Sequence, residues 1–257
     1  MSWASRRRFS YGAGILLFFV VIIGVPTIIW LNKAPTCFDG KQNQGEIDID
    51  KGGPCQLLDE RTLIPHAVVW TRGFEVRPGL YSAVAYIENP NAEAGVQKVE
   101  YRFGLYDERN VLVAERGGET FIMPGGITPV FEGAVDTGNR VVVRTYLEFT
   151  EPLVWERMNS FSDALTVHDK NVLGTTEAPR LMALVTNESV ADITNVAFVA
   201  VVFDTAGNAF ASSETFLPRI PAGETREIVF TWPTPFFYTV GRIDILPLLP
   251  PEPFVGN

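Results

Sequence analysis

Two stretches, "KVEYRFGLYDERN" at Lys98–Asn110 and "NVAFVAVVFDTAGN" at Asn195–Asn208, decide the fold because they repeat one pattern. Asp107 and Asp204 end the apolar part of each copy and lie 97 positions apart. Apolar residues occupy every second position of the first copy. This period of two residues predicts a β-strand with one buried and one exposed face.

The repetition extends well beyond this strand. "ETF" at Glu119–Phe121 recurs at Glu214–Phe216, and "PGG" from Pro124 recurs as "PAG" from Pro221. "AYIENPN" before the first long strand matches "ALVTNES" before the second. Ordered matches at nearly the same shift, between 95 and 98 positions, indicate an internal duplication.

Each copy has the composition of a small β domain. Turn-forming segments such as "AERGGET", "DTGN" and "DTAGN" separate about seven short alternating runs per copy, the number typical of a two-sheet sandwich. The sequence therefore predicts an all-β fold of two tandem immunoglobulin-like β-sandwiches. We place repeat 1 at 64–152 and repeat 2 at 162–248, joined by the short junction Leu153–Ser162 and followed by a Pro-rich tail, 249–257.

The alternation also predicts which side chains form the two cores. The first core should contain Val99, Tyr101, Phe103 and Leu105, and the second Val196, Phe198 and Val202. A further alternating run predicts one more strand of repeat 1, containing Val141, Val143, Thr145 and Leu147.

Phe103–Asp107 reads F-x-L-Y-D, and in this respect repeat 1 resembles the FxLYD family of small extracytoplasmic β-sandwich domains. Repeat 2 keeps the aromatic residue and the aspartate of this motif, Phe203 and Asp204. The resemblance implies a sandwich fold in a cell-envelope setting, without catalytic residues. The aspartate also has a local role to play, since it can cap a hairpin turn through nearby backbone groups.

The N-terminus predicts a membrane anchor. Arg6–Arg8 lie in the short arm 1–10, and 11–32 forms an uncharged, largely apolar run long enough to cross the ~30 Å hydrocarbon core as a helix. A cleaved signal peptide has a shorter apolar core, and Pro35-Thr36 does not suit a lipoprotein cysteine. We expect one uncleaved span in the inner or cytoplasmic membrane, with its arginines holding the N-terminus in the cytoplasm and everything after it extracytoplasmic.

The segment 33–63 contains "CFDGKQNQGEIDIDKGGPC", with the chain's two cysteines, Cys37 and Cys55, at its ends. A redox centre would need C-x-x-C spacing, and a zinc site lacks histidine ligands within the loop. Because extracytoplasmic cysteines oxidise, we expect a structural disulfide. Closing such a loop stabilises a fold by about 3 kcal/mol in the entropic model.

A calcium site is the alternative for this loop. It offers hard oxygen ligands of the kind calcium binds, at Asp39, Asn43, Glu46, Asp48 and Asp50. The D-x-D-x-D-G order of an EF-hand is absent, and we expect no other cofactor.

The loop also resembles a cysteine-rich motif of bacterial surface proteins, C-x-D-G-x-x-N-x-x-E-x-x-x-D-C-G-G-x-C. The matching residues are Cys37, Asp39, Gly40, Asn43, Glu46, Asp50, Gly52, Gly53 and Cys55. Lys51 replaces the second cysteine of the motif, and no fourth cysteine follows. The resemblance implies an exported surface segment and no activity.

The sequence gives little support for nucleic-acid binding or for catalysis. A net charge of −9 without a basic stripe argues against a nucleic-acid partner. The two histidines, His66 and His168, are far apart in the sequence, and the motifs of acyl transfer, metalloproteases and nucleotide binding are absent. We therefore expect a protein that is not an enzyme.

The stretch "TWPTPFFYTV" contains four large rings, at Trp232, Phe236, Phe237 and Tyr238. Rings beside prolines belong either to the core or to a contact surface for a partner. Two functions follow from the sequence. The first is a membrane-anchored interaction or scaffold protein of the prokaryotic envelope, which contacts the lipid bilayer through 11–32 and an envelope protein. The alternative is a sensing ectodomain that binds calcium or a glycan.

Overall fold

A computed structural model of the chain describes residues 3–31, 36–159 and 163–252. It begins with helix α1 (Trp3–Phe19), a π-helical turn (Val20–Gly24) and helix α2 (Val25–Leu31). Pro26 explains the π turn, because proline has no N–H to donate to the preceding turn of helix. Parts of the predicted segments lie outside the described residues, namely 1–2, 32–35, 160–162 and 253–257.

The helical segment contains one span, Tyr11–Ile29, that is long and apolar enough to cross a membrane. It comprises 19 residues with a mean hydropathy of 2.6, and its side chains are exposed. This finding agrees with the predicted anchor, whose orientation remains a prediction.

The chain divides into two compact units, Met1–Pro54 and Cys55–Asn257. The first contains the helices and most of the disulfide loop. The second contains all the named strands, and its two repeats form one compact body.

The strands alternate with short turns along the second unit. Repeat 1 comprises β1 (Ala67–Arg77), β2 (Leu80–Asn89), β3 (Ala94–Tyr106), β4 (Leu112–Ile122), β5 (Gly126–Asp136) and β6 (Arg144–Phe149). The two-residue strand β7 (Glu156–Arg157) follows it. Repeat 2 comprises β8 (Leu165–Leu173), β9 (Arg180–Asn187), β10 (Ile193–Asp204), β11 (Ala209–Ile220), β12 (Thr225–Thr231) and β13 (Val240–Leu248).

Repeat 1 is a sandwich of two antiparallel sheets. One has the order β1-β2-β5, and the other has the order β4-β3-β6, with β7 pairing to the start of β3. Ala83, Ala85 and Ile87 of β2 pack with the inward face of β3 between the sheets. All four predicted core residues of β3 are buried there, as the alternation required: Val99, Tyr101, Phe103 and Leu105.

Repeat 2 has the same arrangement, with sheets of order β12-β9-β8 and β11-β10-β13. Its predicted core residues Val196, Phe198 and Val202 are buried between these sheets. The all-β fold and the duplicated sandwich predicted from the sequence are confirmed.

The two sandwiches share a third apolar cluster. Val84 and Tyr86 on the outer face of β2 pack with Val199, Val201 and Phe203 on the outer face of β10. The sheet β1-β2-β5 therefore lies face to face with the sheet β11-β10-β13, and the second unit is a stack of four β layers. Both β2 and β10 are buried on both faces, which explains why they read as nearly continuous apolar runs.

Polar contacts accompany this shared face. Ser82 and Ser212 meet through their hydroxyl groups, with 2.9 Å between the two Oγ atoms, in a fully buried position. The Arg72 guanidinium donates to the Ala209 carbonyl at 2.5 Å, and the Thr234 hydroxyl group donates to the carbonyl of residue 76 at 3.3 Å. The repeats are therefore joined by packing and hydrogen bonds as well as by the chain.

Two sequence expectations need correction. Each repeat has six long strands in place of about seven. The last strand of repeat 1 begins at Arg144, so Val141 and Val143 are exposed, at 65% and 58%, and Val142 packs on the core instead. The inward-facing positions shift by one residue at the turn after β5. There the backbone N–H of Val142 donates to the Tyr81 hydroxyl group at 3.2 Å, before the ladder between β6 and β3 begins.

Parts of the predicted linker and junction pack against repeat 1. Leu58 and Leu63 lie against the first core, and Leu57 forms a bridge with Glu156. In the described part of the junction, Trp155 is 4% exposed. The described parts of both segments are therefore packed against repeat 1.

Candidate functional sites

The disulfide predicted for Cys37 and Cys55 is present. The loop between these residues is built from tight turns. Gly53 adopts φ +55°, and a Cβ there would lie 2.7 Å from the carbonyl oxygen of Gly45, so a larger residue would force the loop apart.

The acidic side chains of this loop bind its own backbone. The Asp50 carboxylate accepts hydrogen bonds from the backbone N–H groups of Asp39 and Gly40, at 3.1 Å each. The Asn43 amide donates to Asp39 at 3.0 Å, and this bond is the main cause that holds the pKa of Asp39 below its ordinary value. Glu46 accepts from the N–H of Asn43 at 3.1 Å.

The four carboxylates among the predicted calcium ligands do not form a close group of three. Within the described residues from 36 onward, no three carboxylates of Asp39, Glu46, Asp48 and Asp50 lie within 4.8 Å of one another. Their oxygens point at N–H donors along the loop, as in a set of Asx-type turns. These hydrogen bonds hold the turns of the loop in place.

The aromatic stretch near residue 235 separates into core and surface. Trp232 is 7% exposed, and its indole N–H donates to the Ser212 carbonyl at 2.9 Å, so Trp232 is a core residue and not part of an interface. Phe236 is half-buried against Trp232, with ring centroids 5.1 Å apart. Phe237 and Tyr238 are the exposed pair, at 87% and 59%.

The motif aspartates end the two long central strands in the same way. Oδ1 of Asp107 accepts from the backbone N–H groups two and four residues further on, at 3.0 and 2.9 Å. Oδ1 of Asp204 does the same at 2.9 and 2.8 Å. The backbone N–H of Val111 and that of Asn208 are the first causes that hold the pKa of each carboxyl below its ordinary value.

Two asparagines perform a structural role that the sequence analysis noticed only as part of the repeat. The buried Asn89 donates to the carbonyls of Ala94 and Met123, at 2.7 and 2.8 Å, and accepts from the N–H of Asn91. Asn187 in repeat 2 donates to two carbonyls and accepts from one backbone N–H in the same way. The shared "N-x-N/S" turn was the signal that could have identified both.

The histidines lie in different surroundings. His66 lies against the rings of Phe149 and Trp155, where burial lowers its pKa. His168 contacts Asp169 and the Thr186 hydroxyl group on the outer side of repeat 2, at 3.0 Å each. The structure does not bring the two together.

A polar groove of about 370 Å³ runs between β1 and β6 of repeat 1. Gly73 and Thr145 face each other across it, and a Cβ on Gly73 would lie 2.9 Å from the Thr145 hydroxyl oxygen. Thr145 is 8% exposed, and its hydroxyl group has no hydrogen-bond partner. Sequence reasoning missed this groove because it depends on the strand order.

Comparison with known proteins leaves the family of this chain open. No protein-family model matches it, and no curated protein matches it. Solved structures with local similarity include a red sea bream transglutaminase (TM-score 0.23, 9% identity, 69% of this chain and 29% of that chain). They also include a Bacteroides uniformis beta-glucuronidase (TM-score 0.20, 13% identity, 68% of this chain and 22% of that chain). The chain spans less than a third of the length of these structures, and similarity at this TM-score carries no argument about function.

Proposed function

We propose that this chain is a membrane-anchored, extracytoplasmic interaction or scaffold protein of the prokaryotic cell envelope, without enzymatic activity. The observation that carries the proposal is the apolar span Tyr11–Ile29, which precedes a disulfide loop and a rigid double sandwich. A disulfide suits an oxidising compartment outside the cytoplasm. The F-x-L-Y-D residues at Phe103–Asp107 add the resemblance to extracytoplasmic sandwich domains.

The architecture supports presentation of surfaces rather than chemistry. The buried polar groups described above, Asp107, Asn89 and Asn187, hold turns in place through backbone hydrogen bonds. Four packed layers give a stiff body whose edges and loop tips remain available to a partner. Binding residues commonly lie on such edges and loops when a rigid scaffold positions them.

Topology is the first part to test. Protease added to spheroplasts that carry the full chain should remove most of the protein mass, leaving the anchor and the arginine-containing N-terminus. Replacing Leu16 and Ile22 with arginine should release the chain from the membrane fraction, because each charge is costly in hydrocarbon. Complete protection of the chain in intact spheroplasts would contradict the proposed orientation.

The interaction role needs a separate experiment. The full chain, purified from detergent-solubilised membranes after cross-linking in cells, should carry a stoichiometric envelope protein. Recovery of the chain alone, with its topology confirmed, would count against a scaffold. The alternative, a calcium- or glycan-sensing ectodomain, would gain support if calcium raised the melting temperature and Asp48→Ala with Asp50→Ala abolished that rise.

A further inference from the structure

The edges of the two repeats differ at the place where a seven-stranded sandwich has its last strand. In such sandwiches the seventh strand pairs with the sixth and completes the sheet that contains the third. Here β6 ends the sheet β4-β3-β6, and β13 ends the equivalent sheet β11-β10-β13. In the described part of the chain no strand occupies the seventh position of either repeat.

The backbone of β6 presents hydrogen-bonding groups on this open side. The N–H of Thr150 donates to the Glu100 carbonyl at 3.0 Å, continuing the ladder between β6 and β3. In an antiparallel ladder the bonded positions alternate, so Tyr146 and Glu148 also bond to β3. The N–H and C=O groups of Thr145 and Leu147 therefore point away from β3, toward the open edge.

The same edge in repeat 2 is covered. Ile243 pairs with Val202 in β10 as Thr145 pairs with Leu105 in β3. The Lys170 ammonium donates to the Ile243 carbonyl across the gap between β8 and β13, at 3.0 Å. Lys170 reaches it from a bulge of β8, between His168 and Asn171. A lysine laid across an edge is a common protection against unwanted strand pairing.

Among the described residues of repeat 1, no lysine donates to a carbonyl of β6, and a polar groove lies beside this strand. The Gly73 backbone lies close against the Thr145 side chain, and the buried Thr145 hydroxyl group lacks a hydrogen-bond partner there. On the outer face of β6, the Arg144 guanidinium donates to the Asn110 side-chain oxygen at 3.2 Å, and no carboxylate among the described residues forms a salt bridge with it. An added strand would supply a polar residue for Thr145 and an acidic residue for Arg144.

We propose that the open edge of β6 receives an extended segment of a partner protein as the seventh strand of repeat 1. This inference rests on the proposed interaction role and names its surface and the class of partner. The bound segment runs antiparallel to β6 and pairs with the backbone of Thr145, Leu147 and Phe149. Its inward side chains are small or apolar, with a hydroxyl or amide group opposite Thr145, and an acidic residue lies opposite Arg144. Main-chain bonds supply affinity, and the alternating side chains supply specificity.

A designed peptide tests this pairing on the unmodified chain. The peptide GVKVTSEG places valine opposite Phe149 and Leu147, serine opposite Thr145 and glutamate opposite Arg144. Added to the detergent-solubilised full chain, it should slow hydrogen exchange at the N–H groups of Thr145 and Leu147 by about tenfold or more and leave Glu148 unchanged. Unchanged exchange at all three positions, at saturating peptide, would overturn the proposal.

Backbone methylation of the peptide provides a control that does not alter the protein. Methylating the nitrogens of the serine and the two valines removes the donors that face β6 and should abolish the protection. Methylating those of the lysine and threonine leaves the β6-facing donors in place and should preserve it. Equal loss from both patterns, or from neither, would show that the peptide does not bind as a strand.

Matched protein variants separate the two repeats. Leu147→Pro removes an edge-facing N–H without removing a bond to β3, so it should abolish peptide protection. Ile245→Pro is the equivalent change in repeat 2 and should leave it unchanged. A concentration-dependent dimer that Leu147→Pro abolishes would instead identify a second copy as the occupant and overturn a foreign partner. If cross-linking still recovers an envelope protein with Leu147→Pro, the interaction role stands and the β6 edge is excluded.

Discussion

Strands β2 and β9 hold the same position in the two repeats, yet they differ in what covers them. The inward face of each lies in its own core, through residues such as Ala85 in β2 and Ala183 in β9. The outward face of β2 is buried against repeat 2, whereas Met182 and Leu184 on the outward face of β9 are half-buried at the surface. One duplicated sequence has thus produced an internal sheet and a terminal sheet.

The difference shows that the repeats are joined head to tail. The β2 sheet of repeat 1 contacts the β10 sheet of repeat 2, so the faces in contact are not equivalent. The β3 sheet of repeat 1, which corresponds to the β10 sheet, instead carries Arg102 between Glu148 and Glu115 on its outer face. A charged outer face ends the stack, as capping repeats end a solenoid.

The largest expected effect tests whether the repeats unfold together. Phe103→Ala and Phe198→Ala each remove a fully buried ring and should cost about 3–5 kcal/mol. Because the cluster around Val84 and Val201 joins the sandwiches, either substitution should lower one common unfolding transition. Calorimetry of the detergent-solubilised chain measures this. Two separate transitions, with one unaffected by each substitution, would mean that the repeats are independent domains.

The second prediction compares the covered and uncovered outer faces directly. Val84→Ser leaves a cavity and a buried hydroxyl group between the repeats, so we expect a loss of about 2–3 kcal/mol. Met182 holds the equivalent position in β9, where the surface is open, and Met182→Ser should cost below about 1 kcal/mol. Denaturant unfolding gives both values. Equal losses would contradict the contrast between internal and terminal sheets.

The third prediction concerns a feature that both repeats share. Asn89→Ala and Asn187→Ala each leave one buried and one less buried carbonyl without its side-chain donor and should cost about 1–3 kcal/mol. Because the two turns have the same contacts, the two losses should agree closely, whatever covers the neighbouring sheets. A markedly larger loss for one of them, measured by denaturant titration, would show that the turns are not energetically equivalent.

The fourth prediction is a pH dependence that distinguishes the motif aspartates. Both carboxyl groups have a pKa below the ordinary value in the folded chain, so each contributes stability above a pH of about 4 that is lost as the pH falls through the folded pKa. Asp107→Asn and Asp204→Asn should therefore lower the melting temperature at neutral pH and have little effect at low pH. Asp107 also pairs with Arg140 at 2.5 Å, so added salt should reduce the effect of Asp107→Asn more.

Much of the fold followed from local patterns, for a physical reason. Alternation along β3 requires one face to be buried, so Val99 and Phe103 could be placed in a core from the sequence alone. The same reasoning misplaced Val141 and Val143, because the start of β6 depends on a turn and on the distant Tyr81 hydroxyl group.

The candidate sites were less accessible to sequence reasoning. Trp232 and Phe237 lie five residues apart in one aromatic stretch, but one is a core residue and the other is 87% exposed. The carboxylates of the disulfide loop suggested calcium by composition, and this stays a prediction; what the sequence did not indicate is that Asp50 and Glu46 accept hydrogen bonds from backbone N–H groups. The open edge beside Thr145 depends on which strand follows β3 in the sheet, and composition holds no information on that order.

The smallest expected effect comes from the serine pair between the repeats. Ser82 and Ser212 are 2% and 4% exposed, and each hydroxyl group has the other as a partner. Ser82→Ala leaves the Ser212 hydroxyl group buried without that partner and should cost about 1 kcal/mol. The double change to alanine removes both groups and should cost less than the sum of the single changes, giving a coupling of about 0.5–1 kcal/mol. Denaturant unfolding of all four chains measures the coupling. Strictly additive losses would mean that the two hydroxyl groups do not form a hydrogen bond in solution. The close face-to-face packing of the two repeats around Ser82 and Ser212 would then be wrong.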